Sequence, residues 1–150
     1  MMGFQGAQGH TQILEDFTII KSGGVSGKGF SLSKIGLRKF KNSEEISIEI
    51  GDAFGNPYSG STSYHRLTWN PKTNKGLLFL SQIFVNKIKD SKVRSLVKGS
   101  RFLKKMDLFF DPFDQTNQLR FELKQGTRVK LTTQGAKESY SRIVIELRGG

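Results

Sequence analysis

Alternation of apolar and polar residues is the feature that most limits what this chain can fold into. Residues 46–50 alternate isoleucine with serine and glutamate, and a period of two is the pattern of a β-strand with one buried face. The same pattern returns three times in the second half of the chain. Together with runs rich in β-branched and aromatic residues, it predicts about seven strands.

One helix is predicted between two groups of strands. In residues 76–98 the apolar side chains recur at steps of three and four, which is typical of an amphipathic helix, and Gly99 then provides a C-terminal glycine. The apolar positions of this pattern are Leu77, Leu80, Phe84 and Ile88. A single helix among strands predicts a mainly β fold of the α+β class, built as a small barrel or sheet.

Length and residue types set the expected domain organisation. At 150 residues the chain is expected to form one domain over residues 11–150, preceded by a flexible lead-in over residues 1–10. No cysteine is present, so neither a disulfide framework nor a thiolate zinc site is expected. The longest apolar run covers residues 77–80, far fewer than the roughly 20 residues of a membrane helix. We expect a cytoplasmic location, in the host cytoplasm for a viral protein.

Positive charge is the strongest indication of function. The net charge is +11, and residues 76–150 hold fifteen Lys or Arg against seven Asp or Glu, compared with nine and six in residues 1–75. Between residues 86 and 105, eight of twenty residues are Lys or Arg, and only Asp90 is acidic. A protein this positive attracts polyanions, so nucleic acid is the leading candidate and an anionic membrane surface the weaker one.

Cations and aromatic residues are interleaved along the predicted strands and loops. Single-stranded nucleic acid needs both, because positive side chains follow the phosphates and flat rings accept unstacked bases. The residues predicted to follow the backbone are Lys34, Arg38, Arg66, Arg101, Lys104 and Lys105. The residues predicted to stack on bases are Phe54, Tyr58, Trp69 and Phe109.

Three short motifs add a family resemblance. They are an aromatic-His-Arg strand at residues 64–66, a K-G-S turn at residues 98–100 and a closing strand, SRIVIEL, at residues 141–147. In this order, with a helix before the turn, the chain resembles the bacterial and phage single-stranded DNA-binding protein family of OB-fold type. The resemblance implies an OB-fold-like five-stranded barrel with one helix between strands and an extra C-terminal hairpin. It also implies a homo-oligomer that coats DNA in replication, recombination or repair.

Enzyme motifs are weak in this sequence. The glycine-rich run at residues 23–29 lacks the spacing of a phosphate loop, and His65 stands alone on a predicted strand. Asp107, Asp111 and Asp114 fit a metal-dependent nuclease, yet D-P-F-D is first of all a turn. We expect no enzyme, no cofactor and no metal. Two alternatives stay open, namely a Whirly-like or PC4-like sheet module that binds single-stranded DNA, and a viral structural or inhibitor-type interaction protein.

Overall fold

The computed structural model describes residues 18–58, 60–135 and 140–149, without the side chains of residues 18–20. In this part of the chain ten strands and one helix are present, which confirms the predicted mainly β fold with a helix between strands. The lead-in expected over residues 1–10 lies outside the described residues. No helix in the described ranges is long and apolar enough to cross a membrane.

Of the described strands, six precede the helix and four follow it. The strands are β1 (Thr18–Gly23), β2 (Phe30–Lys39), β3 (Ser43–Asp52), β4 (His65–Asn70), β5 (Lys75–Leu80), β6 (Ile83–Asn86), β7 (Leu103–Asp111), β8 (Thr116–Leu123), β9 (Thr127–Gln134) and β10 (Ser141–Gly149). The helix, α1, spans Asp90–Gly99.

The ten strands form two five-stranded sheets. Sheet 1 has the strand order β1-β4-β5-β8-β7, and all of its neighbouring strands are antiparallel. Sheet 2 has the order β6-β2-β3-β10-β9, in which only the β2–β6 pair is parallel. Among the described strands the two sheets do not join into one closed barrel, so the expected five-stranded barrel describes the fold only loosely. The hairpin of β9 and β10 completes sheet 2.

Both sheets bury one face in a shared core. Alternation on β3 sends Ile46, Ile48 and Ile50 inward, and none of these side chains is more than 2% exposed. Leu119 and Leu123 on β8 are buried in the same way from sheet 1, and one cluster of buried side chains joins the two sheets. Each sheet therefore turns its other face outward.

The prediction of a helix over residues 76–98 is wrong for most of that range. Residues 75–86 instead supply β5 and β6, and α1 begins only at Asp90. Gln82 lies between the two strands with a φ of 60°, and this bend resets which residues point inward. Leu80 and Ile83 are consequently both buried. The apparent helical spacing thus comes from two short strands that are joined by a bend.

Helix α1 lies beside the edge of sheet 1. Val93 and Leu96 form its buried face, and it packs mainly against β7 and also against β2. Only residues 100–102 join α1 to β7, which keeps the helix next to that strand. The helix therefore lies between the edge strand of sheet 1 and a strand of sheet 2.

A buried carboxylate anchors the turn that follows α1. Glu44 is fully buried, and its oxygens accept hydrogen bonds from the Ser100 hydroxyl at 2.6 Å and from the backbone N–H and Nε of Arg101 at 2.8 and 3.0 Å. Burial acts to raise the pKa of Glu44, but these hydrogen bonds and the charge of Arg101 outweigh it and hold the pKa below its ordinary value. This contact fixes where β7 begins.

Candidate nucleic-acid interface

The outer face of sheet 1 is the side of that sheet turned away from the core. Strand register arranges its side chains in rows that cross the strands. The first row runs from Arg66 on β4 through Phe79 on β5 and Gln118 on β8 to Phe109 on β7. The second row consists of Thr68, Leu77, Arg120 and Asp107.

Two arginines of this face lie over two phenylalanine rings. The guanidinium carbon of Arg66 is 5.6 Å from the ring centroid of Phe79, and that of Arg120 is 5.4 Å from the centroid of Phe109. Gln118 accepts hydrogen bonds from Arg120 at 2.9 and 3.3 Å, which orients that guanidinium. Phe109 is 49% exposed, and two strand spacings of about 5 Å each separate the two rings. The face thus presents cations and flat rings side by side.

A depression of about 330 Å³ adjoins these rows. Lys75, Lys105 and Arg120 border it, together with the carboxylates of Asp107 and Glu122. The cations outnumber the carboxylates, and Glu122 is already engaged by a lysine of β7. The depression therefore extends the positive part of the face towards the other end of the strands.

Four of the ten predicted site residues meet at this face. Arg66 and Phe109 lie in the first row, and Lys105 is an exposed residue of β7 opposite Glu122 of β8. Lys104 lies in the bulge of β7 just before Lys105, and its Nζ is 3.5 Å from a carboxylate oxygen of Glu122. These residues come from strands that are far apart in sequence, and the sheet brings them together.

The position of Trp69 contradicts the prediction that its ring stacks on bases. The side chain is only 9% exposed, and its ring stacks on Phe121 with centroids 6.4 Å apart and planes at 20°. A Cβ at Gly76 would lie 2.4 Å from the Phe121 ring, so the missing side chain there gives the ring its space. Leu67 and Trp69 alternate inward on β4, which leaves Arg66 outside and Trp69 in the core.

Arg101 also has a structural contact in place of the predicted phosphate contact. Besides its bonds to Glu44, its guanidinium donates to the backbone carbonyl oxygens of Phe40, Lys41 and Ser43 at 2.5, 2.9 and 2.7 Å. Nearly all the donors of the guanidinium are therefore used within the protein. Arg101 ties the β2–β3 turn to the start of β7.

The other four predicted residues lie away from the outer face of sheet 1. Lys34 and Arg38 are on β2 in sheet 2. Phe54 and Tyr58 are in the loop between β3 and β4, where Phe54 is 86% exposed. The Tyr58 hydroxyl accepts a hydrogen bond from Lys28 Nζ at 2.9 Å. The structure therefore separates these residues from Arg66 and Phe109.

Sequence reasoning misses Phe79 and Arg120, which complete the two cation–ring pairs. Phe79 alternates with the buried Leu78 and Leu80, but the assignment of this segment to a helix hid that alternation. Arg120 alternates with buried residues on β8, so its outward position was available from the sequence. The residue that lies next to Arg120 on the neighbouring strand could not be predicted, because a local pattern does not determine the register between strands that are distant in sequence.

His65 lies on the inner side of β4, beside Arg66 in sequence. The ring is 1% exposed, and Nδ1 donates a hydrogen bond to the Ser63 carbonyl oxygen at 2.8 Å. Burial lowers the pKa of His65, the hydrogen bond to Ser63 opposes this, and the charge of Lys21 adds to the lowering. Burial thus favours the neutral imidazole, which is a packed residue beneath the outer face.

Comparisons of the sequence with protein families and with curated proteins identify no relative. No known protein family matches the chain, and no curated protein has a matching sequence. The resemblance to single-stranded DNA-binding proteins of OB-fold type therefore stays a prediction. In the described ranges no group of three or more His, Cys, Asp or Glu side chains is placed to hold a metal ion. The case for a function rests on the geometry of sheet 1.

Proposed function

We propose that the outer face of sheet 1 binds single-stranded DNA or RNA with little sequence preference and without catalysis. The observation that carries this proposal is the placement of Arg66 over Phe79 and of Arg120 over Phe109. From Arg66 to Phe109 the first row crosses three strand spacings, or about 14 Å. A short stretch of polynucleotide fits along that distance.

The two halves of each pair act on different parts of a nucleotide. A base stacked on an aromatic ring contributes about 1–3 kcal/mol, and any base offers the flat surface that stacking requires. An arginine held beside the ring supplies a fixed charge for the adjacent phosphate, and each neutralised phosphate releases counterions. Affinity should therefore depend on salt and only weakly on sequence.

Single strands suit this face better than duplexes do. In a duplex the base surfaces are already stacked on one another, so the rings of Phe79 and Phe109 have nothing to accept. Duplex readers usually place a helix or a β-ribbon in a groove. Here the apolar side of α1, with Val93 and Leu96, is occupied by the core.

The open sheet supports one binding mode over another. An OB-fold barrel binds its ligand across a barrel face flanked by loops, whereas these candidate residues lie on an exposed sheet that is not closed into a barrel. A strand laid across an open sheet is the mode expected of the Whirly-like or PC4-like alternative. We therefore place the site on the sheet surface and not in a barrel groove.

Fluorescence anisotropy of labelled oligo-dT tests the proposal directly. The label belongs on the oligonucleotide, because Trp69 is in the core and would report poorly. We expect salt-sensitive binding of oligo-dT and weaker binding of a duplex of equal length. Equal binding of both forms would contradict the proposal.

A matched pair of variants assigns the binding to the face. Phe109→Ala removes an exposed ring that is paired with an arginine on sheet 1. Phe40→Ala is the matched control, since Phe40 is also exposed and its ring lies 5.3 Å from Arg38, next to sheet 2. We expect Phe109→Ala to weaken oligo-dT binding at least about fivefold and Phe40→Ala to leave it unchanged. Equal losses in both variants would mean that exposed rings act without regard to position.

A further inference from the structure

A second positive site lies where α1 meets sheet 2. Four lysines, Lys34, Lys87, Lys89 and Lys92, line a cleft of about 190 Å³ with the buried Ile35 at its base. We call this the lysine cleft. Lys34 comes from β2, and the other three come from the end of β6 and the start of α1. The fold thus gathers four lysine side chains from two separate segments.

Positive charge in the lysine cleft is not balanced by the protein. None of the residues that line it is acidic, and no described carboxylate lies within ion-pair distance of its lysines. Lys87 donates a hydrogen bond to the Gly55 carbonyl oxygen at 3.2 Å, which directs its side chain across the surface. Four like charges in one small cleft repel each other unless an anion joins them. The cleft therefore favours an anionic ligand.

The helix adds to this preference. Lys89 is the N-cap residue of α1, and no side chain caps the first turn. Backbone N–H groups at a helix start attract anions. Two acidic groups near the cleft oppose an anion, namely Asp90 in the first turn of α1 and Glu49, which lies opposite Lys34 on β3. Asp90 thus provides a test, since its removal should strengthen anion binding.

The shape of the cleft selects a small anion. Its volume is below the roughly 300 Å³ at which pockets for drug-sized ligands begin, and no aromatic side chain lines it. A nucleobase would find neither room nor a ring to stack on. A phosphate group needs only clustered donors, which the lysines supply.

We propose that the lysine cleft binds phosphate groups of the same strand whose bases stack on the outer face of sheet 1, an inference that rests on the proposed function. Helix α1 packs against β7, which carries Phe109, and against β2, which carries Lys34. A strand that passes from the edge of sheet 1 to the cleft must therefore cross at least one helix diameter, on the order of 10 Å. From β7 that path takes at least about three more nucleotides.

Oligonucleotide length separates the two sites. Covering the face alone takes about four nucleotides at the 3.4 Å spacing of stacked nucleotides, and reaching the cleft takes at least about seven. We expect the double variant Lys34→Gln/Lys92→Gln to bind oligo-dT of about 3 nucleotides like the unaltered protein. With oligo-dT of about 12 nucleotides it should bind several-fold more weakly, with a salt slope smaller by about 1.4.

Controls make the result specific to the cleft. The single variant Lys130→Gln removes an exposed charge from sheet 2 and should change neither length series. Asp90→Asn should tighten binding of the longer oligonucleotide only. Losses that are equal at all lengths, or no loss at any length, would overturn the inference.

Inorganic tripolyphosphate distinguishes failure of this inference from failure of the proposed function. In NMR titrations we expect it to shift the amide signals of residues 87–92, and we expect long oligo-dT to displace it. Shifts without any binding of oligo-dT would overturn both the proposed function and the nucleic-acid source of the phosphate. Shifts that oligo-dT does not compete with point to free phosphate compounds and also overturn the inference. An absence of shifts would overturn the cleft as a phosphate site.

Discussion

The outer faces of the two sheets carry similar residues in different arrangements. On sheet 2, arginines lie next to carboxylates, as in the ion pair Arg38–Glu45 between β2 and β3 at 3.7 Å and the pair Arg148–Glu146 within β10 at 2.9 Å. On sheet 1, two arginines lie over phenylalanine rings instead. The described outward positions of β2, β3, β9 and β10 include no aromatic residue. The exposed rings of this region lie at its margins, namely Phe84 on the edge strand β6 and Phe40 just after β2.

The comparison shows that net charge alone does not mark a binding surface. Carboxylates on sheet 2 neutralise their neighbours, and such exposed pairs are worth little to stability. The same cations placed beside rings keep their charge for a ligand and add a surface for stacking. The difference between the sheets is therefore that Arg66 and Arg120 lie over rings on neighbouring strands, whereas Arg38 and Arg148 are paired with carboxylates.

Removal of both rings from sheet 1 should have the largest effect on binding. The double variant Phe79→Ala/Phe109→Ala loses two stacking positions at about 1–3 kcal/mol each, so we expect affinity for oligo-dT to fall at least about 30-fold. Anisotropy titrations measure this loss, and circular dichroism checks the fold. An affinity within about threefold of that of the unaltered protein would contradict the claim that the rings of sheet 1 make it the binding surface.

Arg101 and Arg66 should separate stability from binding. Arg101→Ala leaves the buried carboxylate of Glu44 without its charged partner, and we expect it to lower the free energy of unfolding by about 3 kcal/mol. The folded fraction should still bind oligo-dT normally. Arg66→Ala should do the reverse, with near-normal unfolding in urea and a several-fold loss of affinity. A swap of these outcomes would place the interface at the β2–β3 turn.

Stability should fall in acid in two steps. The pKa of His65 is lowered from 6.5 by burial, so its contribution is complete above pH 6.5 and decreases as the pH falls towards the lowered value. The pKa of Glu44 is held below 4.5, so its contribution is present above about pH 4.5 and is lost as the pH falls through the lowered value.

Two variants assign these steps in urea unfolding across pH. His65→Asn keeps a donor near the Ser63 carbonyl and should flatten the step below pH 6.5. Glu44→Gln should flatten only the step at lower pH. An unchanged pH profile in either variant would mean that another group titrates there.

The smallest effect is expected on sheet 2. Arg38→Gln and Arg148→Gln each remove an exposed, ion-paired cation, and we expect changes in affinity of less than about twofold and in stability of less than about 1 kcal/mol. Oligo-dT titrations and thermal unfolding measure both. A loss comparable to that of Arg66→Ala would show that sheet 2 contributes directly to binding.

The sequence predicts the strands of this protein better than it predicts the site. Alternation places Ile46, Ile48 and Ile50 inward because a period of two is a local property of one strand. The segment of β5 and β6 is mispredicted because two short strands around Gln82 imitate helical spacing. A local pattern cannot distinguish two such strands from a helix until the register of β5 with β4 and β8 is known.

The outward direction of some predicted site residues could be predicted for the same reason. Arg66, Lys105 and Phe109 lie on polar positions of strands, so their outward direction followed from alternation. Trp69 fits the same alternation but on its buried side, next to Leu67. Arg101 required knowledge of Glu44, which lies far away in sequence and is buried only in the folded chain.

NMR mapping of oligo-dT on the protein tests the central claim most directly. We expect the largest shifts of amide signals at the outward residues of β4, β5, β8 and β7, centred on Phe79 and Phe109. Residues on the central strands of sheet 2 should shift little. Shifts concentrated on β3 and β10, or spread evenly over both sheets, would contradict the account.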